Sequence, residues 1–220
     1  MKYLYLIIIL PFSINIYCQN IELSNGLIRS TFYSSYYDDN YSTANFSSEW
    51  GYSFKLGIDG LKIDWMNLSL TIGYDNYSTK VEAISWGMMY ESTVNLNIDK
   101  SLISVGVYPI NISLLQRIKL NIGVEISRLI NESFTGDGSL WIYDSDIDKY
   151  NLIEKYNQIS SKNHCGLISR LGYEFSISEK YSITPQYNFY LGLTDEFKYA
   201  IGNSRTVRHI FSFSINRDIK

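Results

Sequence analysis

The sequence predicts an all-β protein in which eight antiparallel strands run up and down to form a barrel. Two observations carry this prediction. Beyond residue 20, apolar and polar side chains alternate with a period of two, as in strands with one apolar face, and not with the 3.6-residue period of helices. The connections between these strands are alternately long and short, which places every long loop on the same side of the barrel.

The composition excludes several classes of protein. The chain has 220 residues, of which 45% are hydrophobic, 15% aromatic and 19% charged. It is too apolar for an intrinsically disordered chain, and one barrel accounts for the length without a second domain. The net charge of −3 argues against a protein that binds nucleic acid by attracting its phosphates. We therefore expect no nucleic acid among its partners.

The N-terminus is typical of a secretory signal peptide. Lys2 supplies one positive charge, residues 3–10 are almost entirely apolar, and the chain turns polar after Cys18. The apolar run is shorter than the roughly 20 residues that a membrane-spanning helix requires. We expect cleavage after Cys18, so that residues 1–18 are the signal peptide and residues 19–220 form a single domain. An anchor helix that stays attached is the alternative.

Eight segments carry the alternation. In chain order they are residues 23–33, 52–58, 66–74, 93–108, 118–126, 167–175, 181–193 and 207–215. The last is the clearest, because Phe211 and Phe213 share one face while Ser212 lies on the other. The first and the fourth are less regular, and Asp99-Lys100 interrupts the fourth.

The connections between the segments alternate in length. Asp59-Gly60 is a strong tight-turn dipeptide, and Pro109–Gln116 and Ile177–Lys180 are the other short connections. The long connections are Ser34–Glu49, Asp75–Ser92, Asn131–Ser161 and Thr194–Arg205. Transmembrane β-barrels have this asymmetry, with short turns on the periplasmic side and long loops outside. A ten-stranded barrel with an extra hairpin around Lys80–Ile98 stays open, because such barrels usually have an even number of strands.

These features resemble those of the small bacterial outer-membrane β-barrels of the OmpX/OmpA kind. The stretch Leu102–Pro109, followed by Ile118–Ser127, is similar to a hairpin of the "outer membrane protein beta-barrel domain" families, which include PorT-like proteins. The resemblance implies a bacterial outer-membrane barrel, surrounded by outer-membrane lipid and inserted by the barrel-assembly machinery. The polar tail Asn216–Lys220 departs from the aromatic residue that usually ends the last strand of the family.

In such a barrel the polar faces of the strands fill the interior. Buried charges survive there as pairs, so we expect an interior charge network. Its predicted members are Lys55, Arg117, Lys119, Glu125, Arg170, Glu174 and Arg208, with Arg29 as a further candidate. Eight strands enclose a space that their own side chains fill, so the network is predicted to hold the shape of the barrel. A narrow conduit for small solutes is the alternative, with a preference for anions because the predicted basic residues outnumber the acidic ones.

Aromatic residues near the strand ends are predicted to form girdles at the two membrane interfaces, where an aromatic ring and its polar edge both find a suitable solvent. These residues are Trp50, Tyr52, Trp65, Tyr74, Tyr108, Tyr173, Tyr181 and Tyr190.

The long loops carry the candidate binding residues, which combine rigid aromatic area with adaptable hydrogen-bonding groups. They are Tyr36, Tyr37, Tyr41, Trp141, Tyr143, Asp144, Asp146 and Asp148. We expect them to contact an extracellular ligand or protein. The three aspartates have the spacing of a calcium-binding loop, but Lys149 and Lys155 stand where that loop requires Gly and Glu. We therefore predict no metal site.

The sequence contains no motif of an enzyme. His164 and His209 are the only histidines, and there is no Gly-x-Ser-x-Gly turn, phosphate-binding loop or dinucleotide fingerprint. We expect no enzymatic activity and no cofactor. The predicted role is structural or surface-binding, through the long extracellular loops. A narrow channel is one alternative, and a soluble secreted β-barrel that binds a small ligand inside is another.

Overall fold

The computed structural model describes residues 20–34, 42–63, 66–87, 90–115, 117–143, 147–151, 158–197 and 204–219. The signal peptide expected at residues 1–18 lies outside the described residues and stays a prediction. Within the described residues, no helix is long and apolar enough to cross a membrane.

The described chain is built from antiparallel strands. They are β1 (Asn20–Ser34), β2 (Ser42–Ser48), β3 (Trp50–Ile63), β4 (Met66–Gly87), β5 (Tyr90–Leu114), β6 (Ile118–Tyr143), β7 (Ile147–Asn151), β8 (Asn163–Tyr173), β9 (Phe175–Ser176), β10 (Tyr181–Gly192) and β11 (Ser204–Asp218). Eight of them form a ring in the order β11, β1, β3, β4, β5, β6, β8, β10, and β10 closes the ring by pairing with β11. This confirms the predicted eight-stranded, antiparallel, up-and-down barrel.

The three remaining strands lengthen their neighbours and do not enter the ring. β2 pairs with the upper part of β4, β7 pairs with the upper part of β6, and β9 continues β8 along β10. Among the described residues, the upper part of the molecule is therefore a sheet that does not close into a ring. We call it the mouth sheet, and it consists of β2, β7 and residues 76–87 of β4, 90–100 of β5 and 132–143 of β6.

Most of two predicted loops proves to be strand. β4, β5 and β6 contain 22, 25 and 26 residues, against 15 in β1. The prediction of loops at Asp75–Ser92 and Asn131–Ser161 was wrong for the parts that continue these strands. Lys80–Ile98 does form a hairpin, but as the continuation of β4 and β5, with Lys80 opposite Asn97. The ring consequently keeps eight strands.

The short connections at the opposite end also differ from the prediction. Asp59-Gly60 is not the hairpin turn, because β3 continues to Ile63 and the register with β4 shifts between Ile58 and Leu61. Gly60 has a φ of +75°, and a β-bulge uses glycine in this left-handed conformation just as a tight turn does.

The predicted connection Pro109–Gln116 is shorter in the structure. β5 continues to Leu114 after a second shift of register, between Val107 and Ile110. The predicted turn Ile177–Lys180 does separate β9 from β10, and the backbone N–H of Ile177 donates to the carbonyl of Tyr181.

Candidate functional site

A charge network lies at the centre of the barrel, where inward-facing residues of four strands meet. The Lys55 Nζ donates to Glu125 Oε2 at 2.6 Å, and the Arg208 Nη2 donates to Glu125 Oε1 at 2.6 Å. The second Nη of Arg208 donates to Asp75 Oδ2 at 2.8 Å, and Ser53 donates to the other oxygen of Asp75. Each charged side chain is almost fully buried, so its partners replace the water it has lost.

A second pair lies nearer the end where the short turns are. The Arg170 Nη1 donates to Glu22 Oε2 at 2.6 Å, and its Nε donates to Asn188 Oδ1 at 3.1 Å. Gln186 donates to the other oxygen of Glu22. The guanidinium of Arg170 also stacks 4.8 Å from the centre of the Tyr108 ring, which is a cation–π distance.

A third pair lies at the lower edge of the mouth sheet. The Lys100 Nζ lies 2.7 Å from Glu196 Oε1 and 4.4 Å from the centre of the Phe197 ring. Thr206 donates a hydrogen bond to Glu196, and His164 Nδ1 lies 3.3 Å from Glu196 Oε2. Burial by itself would raise the pKa of Glu196, but the combined effect of Lys100, His164 and the hydrogen bond from Thr206 outweighs it and holds this pKa at about 2.

Above this pair the interior becomes apolar. The buried cluster comprises Phe32, Val81, Ala83, Val94, Leu96, Ile98, Ile159 and Phe197. Residues 158–162 and 193–197 fold inward to contribute Ile159 and Phe197, and the backbone N–H of Ser161 donates to the carbonyl of Glu196. The mouth of the barrel is thus filled by a packed core of the kind found in soluble domains.

The structure brings together some of the predicted interior residues and separates others. Lys55, Glu125 and Arg208 meet in one network, whereas Arg170 pairs with Glu22. Two further predicted members, Lys119 and Glu174, pair with each other at an N–O distance of 3.0 Å and are partly exposed near the turn between β9 and β10.

Two of the predicted interior residues do not lie inside. Arg117 is exposed, because it belongs to the turn that precedes β6. Arg29 is also exposed, because it has the same parity along β1 as the outward-facing Leu23 and Leu27. Arg117 was misassigned because a turn residue does not follow the alternation of a strand. Arg29 was misassigned because the first strand was too irregular for its inward and outward residues to be told apart from the sequence.

Four buried charged residues were missed when the sequence alone was used: Glu22, Asp75, Lys100 and Glu196. Glu22 could have been found, because it alternates with Leu23. Asp75 and Glu196 had been assigned to loops, and Lys100 to an interruption. With them included, the buried charges of the described chain are four carboxylates and four Lys or Arg cations, so the excess of basic residues that favoured an anion conduit disappears.

The interior has little free space around Arg170. The cavity bounded by Glu22, Asn121 and Arg170 measures about 20 Å³, which is room for about one water molecule. Within the described ranges, no group of three or more His, Cys, Asp and Glu side chains is arranged to hold a metal ion.

The aromatic residues divide between the two surfaces. Trp50 and Tyr52 are exposed near one end of the barrel, and Tyr173 and Tyr181 near the other. Tyr108 and Tyr190 were wrongly assigned to the girdles, since both are buried inside. The ring of Tyr190 lies 3.7 Å from the guanidinium of Arg208, which explains its inward position. Trp65 lies outside the described residues.

The predicted loop residues are only partly described. Tyr36, Tyr37, Tyr41, Asp144 and Asp146 lie outside the described residues. Trp141 and Tyr143 belong to β6 and Asp148 belongs to β7, where the backbone of Trp141 is paired with Lys149. These three positions are therefore in paired strands of the mouth sheet, and the assignment to a loop was wrong for them.

The outer surface changes its polarity along each long strand. On β5 the outward residues Ile103, Val105 and Val107 are about 39–49% exposed, although all are apolar. Farther up the same face the outward residues are Asn95, Asn97 and Asp99. We call the lower zone, with its apolar outward side chains, the belt. It extends around the eight strands of the ring, for example to Leu27, Leu56, Ile72, Ile126, Leu167 and Phe213.

The sequence matches no protein-family model and no curated protein. Solved structures similar to the chain include the following three bacterial proteins. Neisserial surface protein A is 10% identical, with 90% of this chain and 97% of that chain covered and a TM-score of 0.41. The attachment invasion locus protein Ail of Yersinia pestis is 8% identical, with 91% and 99% covered and a TM-score of 0.41. The outer membrane protein OprG from Pseudomonas aeruginosa is 10% identical, with 90% and 96% covered and a TM-score of 0.41.

Proposed function

We propose that this chain is an integral protein of the bacterial outer membrane, in which the barrel is a structural anchor and the mouth sheet makes contacts outside the cell. The observation that carries this proposal is the belt. Soluble proteins rarely expose a continuous apolar patch larger than a few hundred Å². An apolar surface that surrounds eight strands, around an interior that buries eight charged groups, is favourable when the solvent is lipid.

The backbone supports the same proposal. In lipid, every backbone N–H and C=O must find its partner within the protein, which only helices and closed barrels achieve. Here each of the eight ring strands pairs with two neighbours, so within the described residues the ring is closed. To close the ring, its first and last strands must pair with each other. We expect the barrel-assembly machinery to be the partner that assists this step.

The interior argues against the two alternatives. A conduit needs a continuous path, whereas the centre is occupied by Arg208, Glu125 and Lys55 and the mouth by the apolar cluster. A soluble barrel that holds a small apolar ligand needs apolar side chains inside the ring, and in the belt region these face outward.

We infer no enzymatic role. His164 lies against Glu196 near the mouth, and Ser160 is bridged through the backbone to Phe197, the residue after Glu196. Serine, histidine and a carboxylate are the residues of a hydrolytic triad. All three are at most 4% exposed, so a substrate cannot reach them, and Glu196 is already paired with Lys100.

The mouth sheet is the part of the chain suited to surface contacts. Within the described residues, β2 pairs with β4 and β7 pairs with β6, each on one side only. An unpaired edge offers backbone N–H and C=O groups to an extended segment of another protein. The outward polar residues of β5, such as Asn95 and Asp99, keep the face of the sheet soluble. We propose an extracellular protein as the partner of these edges.

The proposal is tested by expressing the chain in a bacterium and separating its membranes. We expect the protein in the outer-membrane fraction, and we expect unboiled and boiled samples to migrate differently on SDS gels, because a closed sheet has no edge at which to unravel. Recovery in the soluble fraction without detergent would contradict the proposal. In planar bilayers we expect no reproducible conductance steps, and steps that change in an Arg208→Gln variant would favour the conduit instead.

A further inference from the structure

We infer that the outer surface of the barrel carries a binding site for a phosphate-bearing lipid, centred on Arg29 and His209. This inference rests on the proposed membrane insertion and adds a ligand class to it. The two residues are Cα partners on the neighbouring strands β1 and β11. Both line an open cavity of about 690 Å³ on the outside of the barrel, together with Phe46, Ser48 and Trp50.

The site lies at the upper border of the belt. Along β1 the outward residue changes from Leu27 to Arg29, and along β11 it changes from Phe211 to His209. A ligand at this border meets polar donors on one side and apolar surface on the other. Lipid headgroups occupy this level of a bilayer, where Trp is also enriched, and Trp50 lies directly across from Arg29 on β3.

Arg29 uses only part of its hydrogen-bond donors in contacts with the described residues. Its Nε donates to Ser48 Oγ at 2.7 Å, and its guanidinium lies 5.9 Å from the centre of the Trp50 ring. These two contacts hold the side chain in place. Among the described residues, no carboxylate pairs with Arg29, so its two Nη groups are available to an anion. A planar guanidinium can donate two parallel hydrogen bonds to one phosphate.

His209 is held by a neighbour in a similar way. The Tyr187 hydroxyl lies 2.6 Å from His209 Nδ1. When the hydroxyl donates to Nδ1, the proton of the neutral ring is on Nε2, which then becomes a donor to a ligand. The Tyr187 ring also packs against Phe211, with 5.0 Å between the ring centres. This contact holds in place the hydroxyl that bonds to His209.

A second outer groove gives an acyl chain a place to lie. It has a volume of about 610 Å³, and Phe211 lines both cavities. Its other walls include Leu27, Leu171, Pro185 and Phe213, all on the outside of the belt. The two cavities together therefore match an amphipathic ligand, with an anionic group at Arg29 and His209 and a hydrocarbon chain below. A zwitterionic lipid carries its own cation, so we expect a net anionic lipid to be preferred.

The experiment measures lipid retained by the folded barrel. The protein is purified in an uncharged detergent, titrated with phosphatidylglycerol or with phosphatidylcholine of the same acyl chains, and analysed by native mass spectrometry. A third titration uses inorganic phosphate. We expect the barrel to retain phosphatidylglycerol and to discriminate against phosphatidylcholine, while inorganic phosphate competes only weakly because it lacks the acyl chain.

Two variants test the named residues. Arg29→Gln and His209→Gln are each expected to weaken phosphatidylglycerol binding by about tenfold, the effect of losing a hydrogen bond to a charged group. Arg128→Gln is the matched control, because Arg128 is an exposed outward residue of β6, on the opposite side of the ring. It is expected to bind phosphatidylglycerol as the unaltered protein does.

Several results would overturn the inference. Three results would each mean that the upper border of the belt has no specific lipid site. They are equal retention of the two lipids, unchanged phosphatidylglycerol binding in the Arg29 and His209 variants, and equally weakened phosphatidylglycerol binding in the Arg128 variant. Competition by inorganic phosphate as strong as by the lipid would mean an anion site without a lipid. The boiled and unboiled gel comparison accompanies every sample, so a protein that is not an inserted barrel is recognised as a failure of the proposed function instead.

Discussion

The belt and the mouth sheet are built from the same strands but have opposite polarity. On β5 the inward residues of the mouth are Val94, Leu96 and Ile98, and farther down the same face they are Ser104 and Gly106. The outward face changes in the reverse sense, from polar residues in the mouth to apolar residues in the belt. One strand is therefore suited to two solvents, water above and lipid below.

β4 changes its polarity in the same way. Its inward residues are Thr71 and Asp75 in the belt region, and Val81 and Ala83 in the mouth sheet. The pleat continues without interruption, so the change is one of residue type and not of direction. The level at which the inward residues change from polar to apolar marks the border at which the lipid would end. The difference between the zones can be tested by altering each one separately.

The largest effect is expected from breaking the central network. Glu125→Ala leaves Lys55 and Arg208 buried without a shared carboxylate, and should cost about 3–5 kcal/mol of stability. The measurement is the temperature at which the unboiled gel form converts to the unfolded one. Glu82→Ala is the control, because its pair with Lys80 is exposed and should contribute about 0–1 kcal/mol. Equal shifts in both variants would contradict the assignment of the charged core.

A charge placed on the outer face separates the two zones more directly. Val105→Arg puts a charge on the belt and should cost about 2–4 kcal/mol near the middle of a bilayer. Asn95→Arg lies on the same face of β5 in the mouth sheet, opposite Glu82, and should change stability by less than about 0.5 kcal/mol. The yield of folded barrel in lipid vesicles measures both. A Val105→Arg variant that inserts normally would mean that the belt does not face lipid.

A smaller and local effect is expected in the apolar core of the mouth. Ile98→Val removes one methylene from a fully buried position and should cost about 0.5–1.5 kcal/mol. Hydrogen exchange should quicken in the mouth sheet and not in the belt. Ile103→Val, on the exposed outer face of the same strand, serves as the control and should leave both zones unchanged. Faster exchange throughout the barrel would mean that the two zones unfold together.

The last effect is absent at neutral pH and develops only in acid. The pKa of Glu196 is lowered from its ordinary value of 4.5 to about 2, so its pair with Lys100 stabilises the mouth fully above pH 4.5. This stabilisation should be lost as the pH falls from about 4.5 towards 2. The protection of residues 193–197 against hydrogen exchange, measured relative to the intrinsic exchange rate at each pH, should fall over this range. In a Glu196→Gln variant the same protection should be low already at pH 7 and should depend less on pH.

Several features of the barrel could be predicted from the sequence alone. Alternation in the belt region identifies which side chains share a face, and this pattern is sufficient to assign Lys55, Glu125 and Arg208 to the interior. The pairing of these charges could not be predicted in the same way. Arg208 and Asp75 are 133 residues apart, and Arg170 and Glu22 are 148 residues apart. Only the closure of the ring and the stagger of its strands bring such residues together.

The mouth sheet was the part of the fold that could not be predicted from the sequence. The alternation of β5 is interrupted at Asp99-Lys100 because the apolar residues move there from the outward face to the inward face, while the strand itself continues. Asp75–Ser92 was assigned to a loop for the same reason, although the strand continues through it. The sequence by itself determined the number of strands, their up-and-down order and the faces of the belt, because alternation is a local property. Only the tertiary structure decided the ion pairs, the apolar cluster in the mouth and the level of the border between belt and mouth sheet. Each of these depends on which distant residues the closed ring places side by side.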